Sequence, residues 1–163
     1  MYANDWMKQE LNLKEKTARL VATKVGKELD EPAAEFIAGQ MSAYNVLPEK
    51  CICHQGDDSA YLCIITSGRV NIVKTDSDGN EKIIATVGPG QTLGELSLFD
   101  NLPRSASAIA STPVEMIVLD LFDFEYICEN NPRVWAKLAK PLVRIMTKRQ
   151  RQTSSMLADY LKY

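Results

Sequence analysis

The stretch RVNIVKTDSDGNEKIIATV, residues 69–87, has the pattern of a β-hairpin. Two runs rich in β-branched residues flank the segment DSDGN, whose Asp, Gly and Asn residues are typical of a tight turn. Segments such as GDD and GPG separate further short β-rich runs, which lie at 51–55, 60–66, 105–111 and 114–121. Many short strands joined by tight turns predict antiparallel sheets packed as a jelly roll or small barrel.

Helix-forming sequence lies on both sides of this β-rich zone. Residues 4 to about 43 contain many good helix formers, and apolar residues recur there at intervals of seven from Trp6 to Leu20. Residues 121–163 return to a helical pattern that Pro132 interrupts near its start. The pattern therefore predicts N-terminal helices and a pair of C-terminal helices around the strands.

Together these patterns predict an α+β fold: an antiparallel β-roll of the jelly-roll type with flanking helices. We place an N-terminal helical segment at 1–43, the β-roll at 44–120 and the C-terminal helices at 121–163. The chain has 163 residues, of which 45% are hydrophobic and 25% charged, as expected for one domain with its own core.

The composition also limits where the protein acts. The N-terminus lacks the apolar run of a signal peptide, and no stretch is long enough to span a bilayer, so we expect a cytoplasmic protein without membrane contact. The four cysteines fit that compartment as reduced thiols. The pair Cys51 and Cys53 lacks the spacing and the second ligand pair of a zinc site, so we expect no metal.

Charge is distributed unevenly along the chain. Residues 1–130 carry 11 Lys and Arg against 20 Asp and Glu, whereas residues 131–163 carry eight against one. A basic C-terminal segment is compatible with nucleic acid or a membrane surface as partner. We favour the alternative that this basic helix lies across the acidic body of its own domain, because charge asymmetry alone does not identify a partner.

The segment GELSLFDNLPRSA, residues 94–106, is the candidate binding site. The guanidinium of Arg104 can bind two phosphate oxygens at once. A helix that starts after Gly94 directs free N–H groups at an anion. Glu95 would repel a phosphate, but it can accept a hydrogen bond from a sugar hydroxyl. A sugar and a phosphate held this close describe a compact nucleotide. We expect four apolar residues to fix this loop to the barrel: Leu96, Leu98, Phe99 and Leu102.

Other chemistries lack their motifs. The glycines of GPGQTLGE, residues 88–95, do not have the G-x-G-x-x-G spacing of a dinucleotide site, and the chain has no Walker motif. His54 is the only histidine, whereas a metal-bearing jelly roll needs several. No Ser-His-Asp signature is present. We therefore expect neither an enzyme nor a cofactor.

The segment GELSLFDNLPRSASA, residues 94–108, closely resembles the phosphate-binding cassette of cyclic nucleotide-binding domains. Such domains occur in protein kinase A regulatory subunits, cyclic nucleotide-gated channels and the bacterial catabolite activator protein. The resemblance extends from about residue 44 to 150, and it includes HQGD at 54–57 and ITSGRVNIV at 65–73. It implies a β-roll whose cassette lies at 94–106 and whose C-terminal helices form a lid and a dimer interface.

The resemblance also implies individual roles for the cassette. Glu95 would bind the ribose 2′-hydroxyl, and Arg104 would bind the exocyclic oxygens of the cyclic phosphate. Ser105 resembles the bacterial activator, whereas a Thr there would suggest cyclic GMP, so cyclic AMP (cAMP) is preferred over cyclic GMP (cGMP). The remaining ligand contacts would come from Gly94, Leu96, Ser97 and Ala106.

A stripe on the C-terminal helix is apolar except at Arg149 and Gln152. The stripe is explained either by a helix end that leaves the core or by polar positions that face a ligand or a second subunit. The resemblance places Arg149 and Gln150 where the activator's helix reaches its purine, so both are candidate base-capping residues. Pro141 within the helix is expected to kink it and to act as a hinge.

These observations favour a cyclic nucleotide receptor that couples ligand capture to movement of its C-terminal helices. It would signal through an effector protein or through a homodimer formed by the C-terminal helix. One alternative is a degenerate β-roll that acts as an interaction scaffold. Another is a transcription regulator acting through the basic helix, but DNA binding is not expected, because too few residues follow the base-capping position for a helix-turn-helix.

Overall fold

The computed structural model describes residues 6–161 and contains five α-helices within them. Asn12, Asp30, Asp120 and Asn131 each accept a backbone N–H at a helix start, which explains why four of the helices begin where they do. The helices are α1 (Leu13–Val21), α2 (Glu31–Gln40), α3 (Glu95–Asp100), α4 (Leu121–Asn130) and α5 (Pro132–Tyr160).

Nine antiparallel strands form two sheets in the described chain. The order is β1-β2-β9-β4-β7 in one sheet and β3-β8-β5-β6 in the other. The predicted α+β class with antiparallel sheets is therefore confirmed, whereas the domain boundaries stay a prediction. The strands are β1 (Trp6–Gln9), β2 (Ser42–Val46), β3 (Cys51–Cys53), β4 (Tyr61–Ser67), β5 (Val70–Thr75), β6 (Glu81–Val87), β7 (Thr92–Leu93), β8 (Ser107–Ala110) and β9 (Val114–Asp120).

The predicted hairpin is formed by β5 and β6, which pair from Val70 opposite Val87 to Thr75 opposite Glu81. The Asp76 carboxylate accepts backbone N–H groups from Asp78 and Asn80 at 3.0 and 2.9 Å, and so closes the turn between them. The strand β6 lies at the edge of its sheet.

The prediction that the chain is helical from residue 4 is wrong for residues 6–9, which form β1 and pair with β2. Residues 4 and 5 lie outside the described residues. Pairing with β2 allows the Trp6 ring to pack edge-on against Tyr44 and Tyr61, each with ring centroids 5.2 Å apart. This tertiary packing outweighs the local helix propensity of the segment.

The C-terminal helices form as predicted, with Asn131 between α4 and α5. Helix α5 continues through Pro141, and it buries Leu138 and Leu142 in the core. The expected hinge at Pro141 stays a prediction. No helix in residues 6–161 combines the length and the apolar character that crossing a membrane requires.

The basic helix lies on the acidic body, as the favoured alternative predicted. Lys137 pairs with Asp30 at 2.6 Å, and Arg144 pairs with Glu28. Residues 151–161 project beyond the last of these contacts, and each of them is exposed.

Candidate functional site

Arg104 is a buried cation held by neutral groups. Its side chain is 4% exposed, and its Nη1 donates to the Gly94 carbonyl at 3.1 Å. Its Nη2 donates to the Tyr61 carbonyl at 2.9 Å, and its Cζ lies 4.0 Å from the centroid of the Tyr61 ring. Within residues 6–161 no carboxylate forms an ion pair with it, and its buried Nε has no hydrogen-bond partner. The guanidinium therefore keeps an uncompensated positive charge and a free donor.

The HQGD turn at 54–57 fixes the backbone of Arg104 from both sides. The N–H of Gly56 donates to the Arg104 carbonyl at 2.8 Å, and the N–H of Arg104 donates to the Asp57 carbonyl at 2.8 Å. The Asp57 carboxylate accepts the N–H of His54 at 2.8 Å and so holds the turn itself. The resemblance identified this turn as a family feature but did not indicate this role.

Gly94 permits the close approach of Arg104 to β7 and α3. Its φ of +84° lies in the left-handed region that favours glycine. A Cβ on Gly94 would lie 2.1 Å from Nη1 of Arg104 and 2.4 Å from the Tyr61 carbonyl oxygen. Any other residue at position 94 would therefore displace the Arg104 side chain.

Glu95 begins α3, and the residue is 3% exposed. Its Oε1 accepts a hydrogen bond from Nη1 of Arg149, whose Nη2 donates to the Thr92 carbonyl at 2.6 Å. Its Oε2 is buried without a hydrogen-bond partner, as is Oγ1 of Thr92. Glu95 is thus half-satisfied by α5 and retains one free acceptor.

Glu95 and Arg104 approach the same buried thiol, which lies on β4. Burial raises the pKa of Cys63 far above its usual value, and the charges of Arg104 and Glu95 both act on that thiol. Burial also raises the pKa of Cys53. These cysteines are therefore neutral, unpaired thiols beside the site.

The other predicted ligand-binding residues are spread around the site. Ser97 is buried, Ala106 is half-buried, and Ser105 is exposed. The Ser105 carbonyl accepts a hydrogen bond from Nζ of Lys74 at 2.6 Å. Gln150 is exposed on α5, and no side-chain hydrogen bond or ion pair is found for it within residues 6–161.

The expectation that four apolar residues fix the cassette loop is only partly correct. Leu98 is buried, and the Phe99 ring packs on Phe124 with centroids 5.4 Å apart. Leu96 and Leu102 are 46% and 60% exposed, so they do not fix the loop. Leu96 lies on the solvent side of α3, and Leu102 follows the end of this helix at Asp100.

Sequence reasoning missed Tyr61, Thr92 and Lys74, which all contact predicted site residues. Tyr61 begins a β-rich run whose alternation does not indicate that its ring meets a cation. The Thr92 carbonyl accepts a hydrogen bond from Arg149, and Lys74 donates one to the Ser105 carbonyl. Local sequence carries no signal for either of these backbone contacts.

The described residues form no metal cluster at this site. Among the described residues no three His, Cys, Asp or Glu side chains come together as metal ligands. Two clefts, of about 450 and 770 Å³, lie along α1, and neither Glu95 nor Arg104 lines them. Helix α5 contacts the cassette through Arg149.

Comparisons with known proteins match the β-roll. The model of the cyclic nucleotide-binding domain family matches residues 45–131. The Cyclic AMP receptor protein of Thermus thermophilus is 38% identical over 95 residues, which are 58% of this chain and 44% of that protein. The CRP-like cAMP-activated global transcriptional regulator of Mycobacterium tuberculosis is 33% identical over 107 residues, 66% of this chain and 46% of that protein.

A solved structure also resembles the chain beyond the β-roll. A cyclic nucleotide-binding domain from Methylobacillus flagellatus superposes with a TM-score of 0.89 at 25% identity. The match covers 98% of this chain and 91% of that one, and so it includes the N-terminal and C-terminal helices. By contrast, the chain spans less than half the length of the two curated relatives.

Proposed function

The chain belongs to the cyclic nucleotide-binding domain family, a regulatory module and not a catalytic one, and from this premise we propose that it is a cytoplasmic receptor for cAMP. Glu95 and Arg104 hold the ligand, and capture moves the C-terminal helices. The observation that carries this proposal is that two buried residues of the cassette keep unused binding capacity. Among the described residues Arg104 has no carboxylate partner, and one oxygen of Glu95 has no hydrogen-bond donor.

Phosphate recognition rests on the charge state of Arg104. A cyclic phosphodiester carries one negative charge, and a buried guanidinium without a carboxylate partner gains more from that charge than a neutralised one would. Its free Nε adds a donor that the protein itself does not satisfy. A singly charged anion that accepts several hydrogen bonds therefore matches Arg104.

Ribose recognition rests on Oε2 of Glu95. A buried carboxylate oxygen without a donor is costly, and a 2′-hydroxyl supplies such a donor. Arg149 already holds Oε1, which leaves Glu95 able to bind helix α5 and sugar at the same time. Gly94, Leu96, Ser97, Ser105 and Ala106 are the remaining cassette contacts in this proposal.

The preference for cAMP over cGMP rests on two supports. Ser105 follows Arg104 where a Thr would favour cGMP by resemblance, and two relatives carry cyclic AMP or cAMP in their names. We propose Arg149 and Gln150 on α5 as the residues that cap the purine. Arg149 already contacts Glu95 of the cassette, whereas Gln150 would have to turn inward from the surface.

Coupling to α5 follows from the contact between Arg149 and Glu95. A ligand shifts a conformational equilibrium only through its different affinity for the two states. A sugar hydroxyl at Glu95 and a base beside Arg149 change the strength of that one contact, and so the ligand acts directly on α5. The pair between Lys137 and Asp30 anchors the first half of the helix.

The projecting end of α5 is the proposed dimer surface. Met156, Leu157 and Tyr160 are 64%, 57% and 83% exposed there, although a helix with apolar residues gains by burying them. The same helix of a second copy is the proposed partner, and an effector protein would read the dimer. DNA binding through this helix is disfavoured, because Arg144 and Arg149 are already bound to acidic residues.

Calorimetry with cAMP and cGMP, each titrated into the full chain, tests the proposal. We expect one site per chain and tighter binding of cAMP. Absence of heat for both nucleotides, confirmed by an unchanged melting temperature, would favour the interaction scaffold instead. A ligand present at one hundred times its Kd should stabilise the protein by about 2.7 kcal/mol.

A further inference from the structure

Tyr61 contacts the Arg104 guanidinium twice. Its ring lies 4.0 Å from Cζ, and its carbonyl accepts a hydrogen bond from Nη2 at 2.9 Å. A cation over the face of an aromatic ring is attracted by the negative charge density of that face. The ring thus supports the guanidinium from one side, while the Gly94 carbonyl holds Nη1.

The ring itself is fixed at its edge and at its tip. The Tyr61 hydroxyl donates to the Ile52 carbonyl at 2.7 Å, and the Trp6 ring packs against it at an interplanar angle of 88°. Tyr61 is 3% exposed, and burial raises its pKa far above the usual value, so the phenol stays neutral. The guanidinium therefore packs on a buried, uncharged ring.

An aromatic face and a carboxylate hold an arginine with different consequences. A carboxylate neutralises the guanidinium, and an anionic ligand must then compete with it. A ring face orients the guanidinium but leaves its full charge and its donor edge for the ligand. Arg104 is held by the ring face and not by a carboxylate, since it forms no ion pair within the described residues.

We infer that Tyr61 is a positioning residue for the phosphate group. Its ring face orients the Arg104 guanidinium without neutralising it, so the positive charge stays available to the ligand. The inference rests on the proposed function, because it concerns the same anion. It assigns to β4 a part in recognition that the cassette residues do not supply.

The test compares ring variants of the full chain by calorimetry with cAMP. Tyr61→Leu removes the π face and should weaken binding about 3- to 30-fold, whereas Tyr61→Phe keeps the face and should bind within about 2-fold of the unmodified protein. Tyr44→Leu is the matched control, because it removes another tyrosine ring that packs on Trp6 at the same 5.2 Å. It should bind as the unmodified protein does.

A series of fluorinated phenylalanines at position 61 separates the cation–π effect from packing. Fluorination withdraws charge from the ring face while the ring keeps nearly the same shape, so affinity should fall stepwise with each added fluorine. This series decides the question even if Tyr61→Leu fails to fold. Equal affinity across the series would overturn the inference, whereas absence of binding by the unmodified protein would overturn the proposed function instead.

Discussion

Arg149 on α5 donates a hydrogen bond to Glu95 on α3, across 54 residues of chain, and joins the C-terminal helix to the cassette. Glu95 is 3% exposed, so the contact forms in a partly dry environment where charge pairs are strong. The second nitrogen of Arg149 binds the Thr92 carbonyl, which fixes the guanidinium in one orientation. The Arg149 side chain thus contacts both the cassette and strand β7, which precedes it.

Replacement of Arg104 tests phosphate recognition directly. Arg104→Ala should weaken the binding of cAMP by about 2–3 kcal/mol, because charge-assisted hydrogen bonds to the phosphate are lost. This corresponds to about 30- to 160-fold in Kd, measured by calorimetry. Arg69→Ala removes an exposed arginine from the same β-roll and is the control. If both variants bind equally well, Arg104 does not hold the phosphate.

Two glycines with nearly the same φ separate backbone strain from the clash at the site. Gly94 and Gly79 have φ values of +84° and +83°, but a Cβ meets Arg104 only at Gly94 and meets nothing within 4 Å at Gly79. Gly79→Ala should lower the free energy of unfolding by about 1 kcal/mol and leave binding unchanged. Gly94→Ala should lower stability further and remove binding, as measured by urea unfolding and calorimetry. Retention of cAMP affinity by Gly94→Ala would contradict the tight packing proposed for Arg104.

The sequence predicted the parts of this fold that depend on local patterns. The hairpin around DSDGN, the break before Pro132 and the cassette all carry residues whose local chemistry is decisive. The strand at Trp6 was missed because its stability comes from pairing with β2, some 36 residues away, and not from its own propensity. Long-range pairing leaves little trace in a local pattern.

The candidate site divides in the same way. Glu95 and Arg104 could be chosen as candidates because their residue types and spacing fit the sugar and the phosphate of a nucleotide. The support for Arg104 could not be predicted, since Tyr61 acts through a ring face and a carbonyl that only the packing of β4 brings together. The resemblance suggested Arg149 as a base cap, but its contact with Glu95 depends on the path of α5 over the body.

Replacement of Glu95, combined with removal of the ligand's 2′-hydroxyl, tests the ribose contact. Glu95→Gln should weaken cAMP more than it weakens 2′-deoxy-cAMP, because the deoxy ligand lacks the hydroxyl that the carboxylate accepts. Four Kd values, two proteins with two ligands, form a double cycle whose coupling term should differ clearly from zero. Parallel losses for both ligands would show that Glu95 acts only through α5.

Removal of Arg149 tests whether the contact couples the ligand to the helix. In the unmodified protein, cAMP should change amide hydrogen exchange across residues 132–161, and in Arg149→Ala that change should be largely lost. Arg144→Ala is the control, because Arg144 lies on the same helix α5 but forms its ion pair with Glu28. Exchange that is insensitive to ligand in the unmodified protein would rule out the proposed coupling.

The anchor between α5 and α2 predicts a specific loss of stability in acid. A hydrogen bond from Lys137 holds the pKa of Asp30 below its usual value, so the folded state favours the ionised carboxyl. This stabilisation is fully present above the unfolded pKa of about 3.9, and it is lost as the pH falls through the lower folded value. The free energy of unfolding in urea should therefore fall more steeply as the pH drops below about 4 than it does in Asp30→Asn.

Asparagine is a suitable replacement because it can still cap α2, where Asp30 accepts the N–H of Ala33. Lys137→Gln keeps the carboxylate but removes the cation, so it should reduce the fall in the free energy of unfolding over this acid range, called the acid limb here. Asp58→Asn changes an exposed aspartate elsewhere and should leave the limb unchanged. If Lys137→Gln keeps the full slope, the acid loss arises from the cap of α2 and not from the pair that anchors α5.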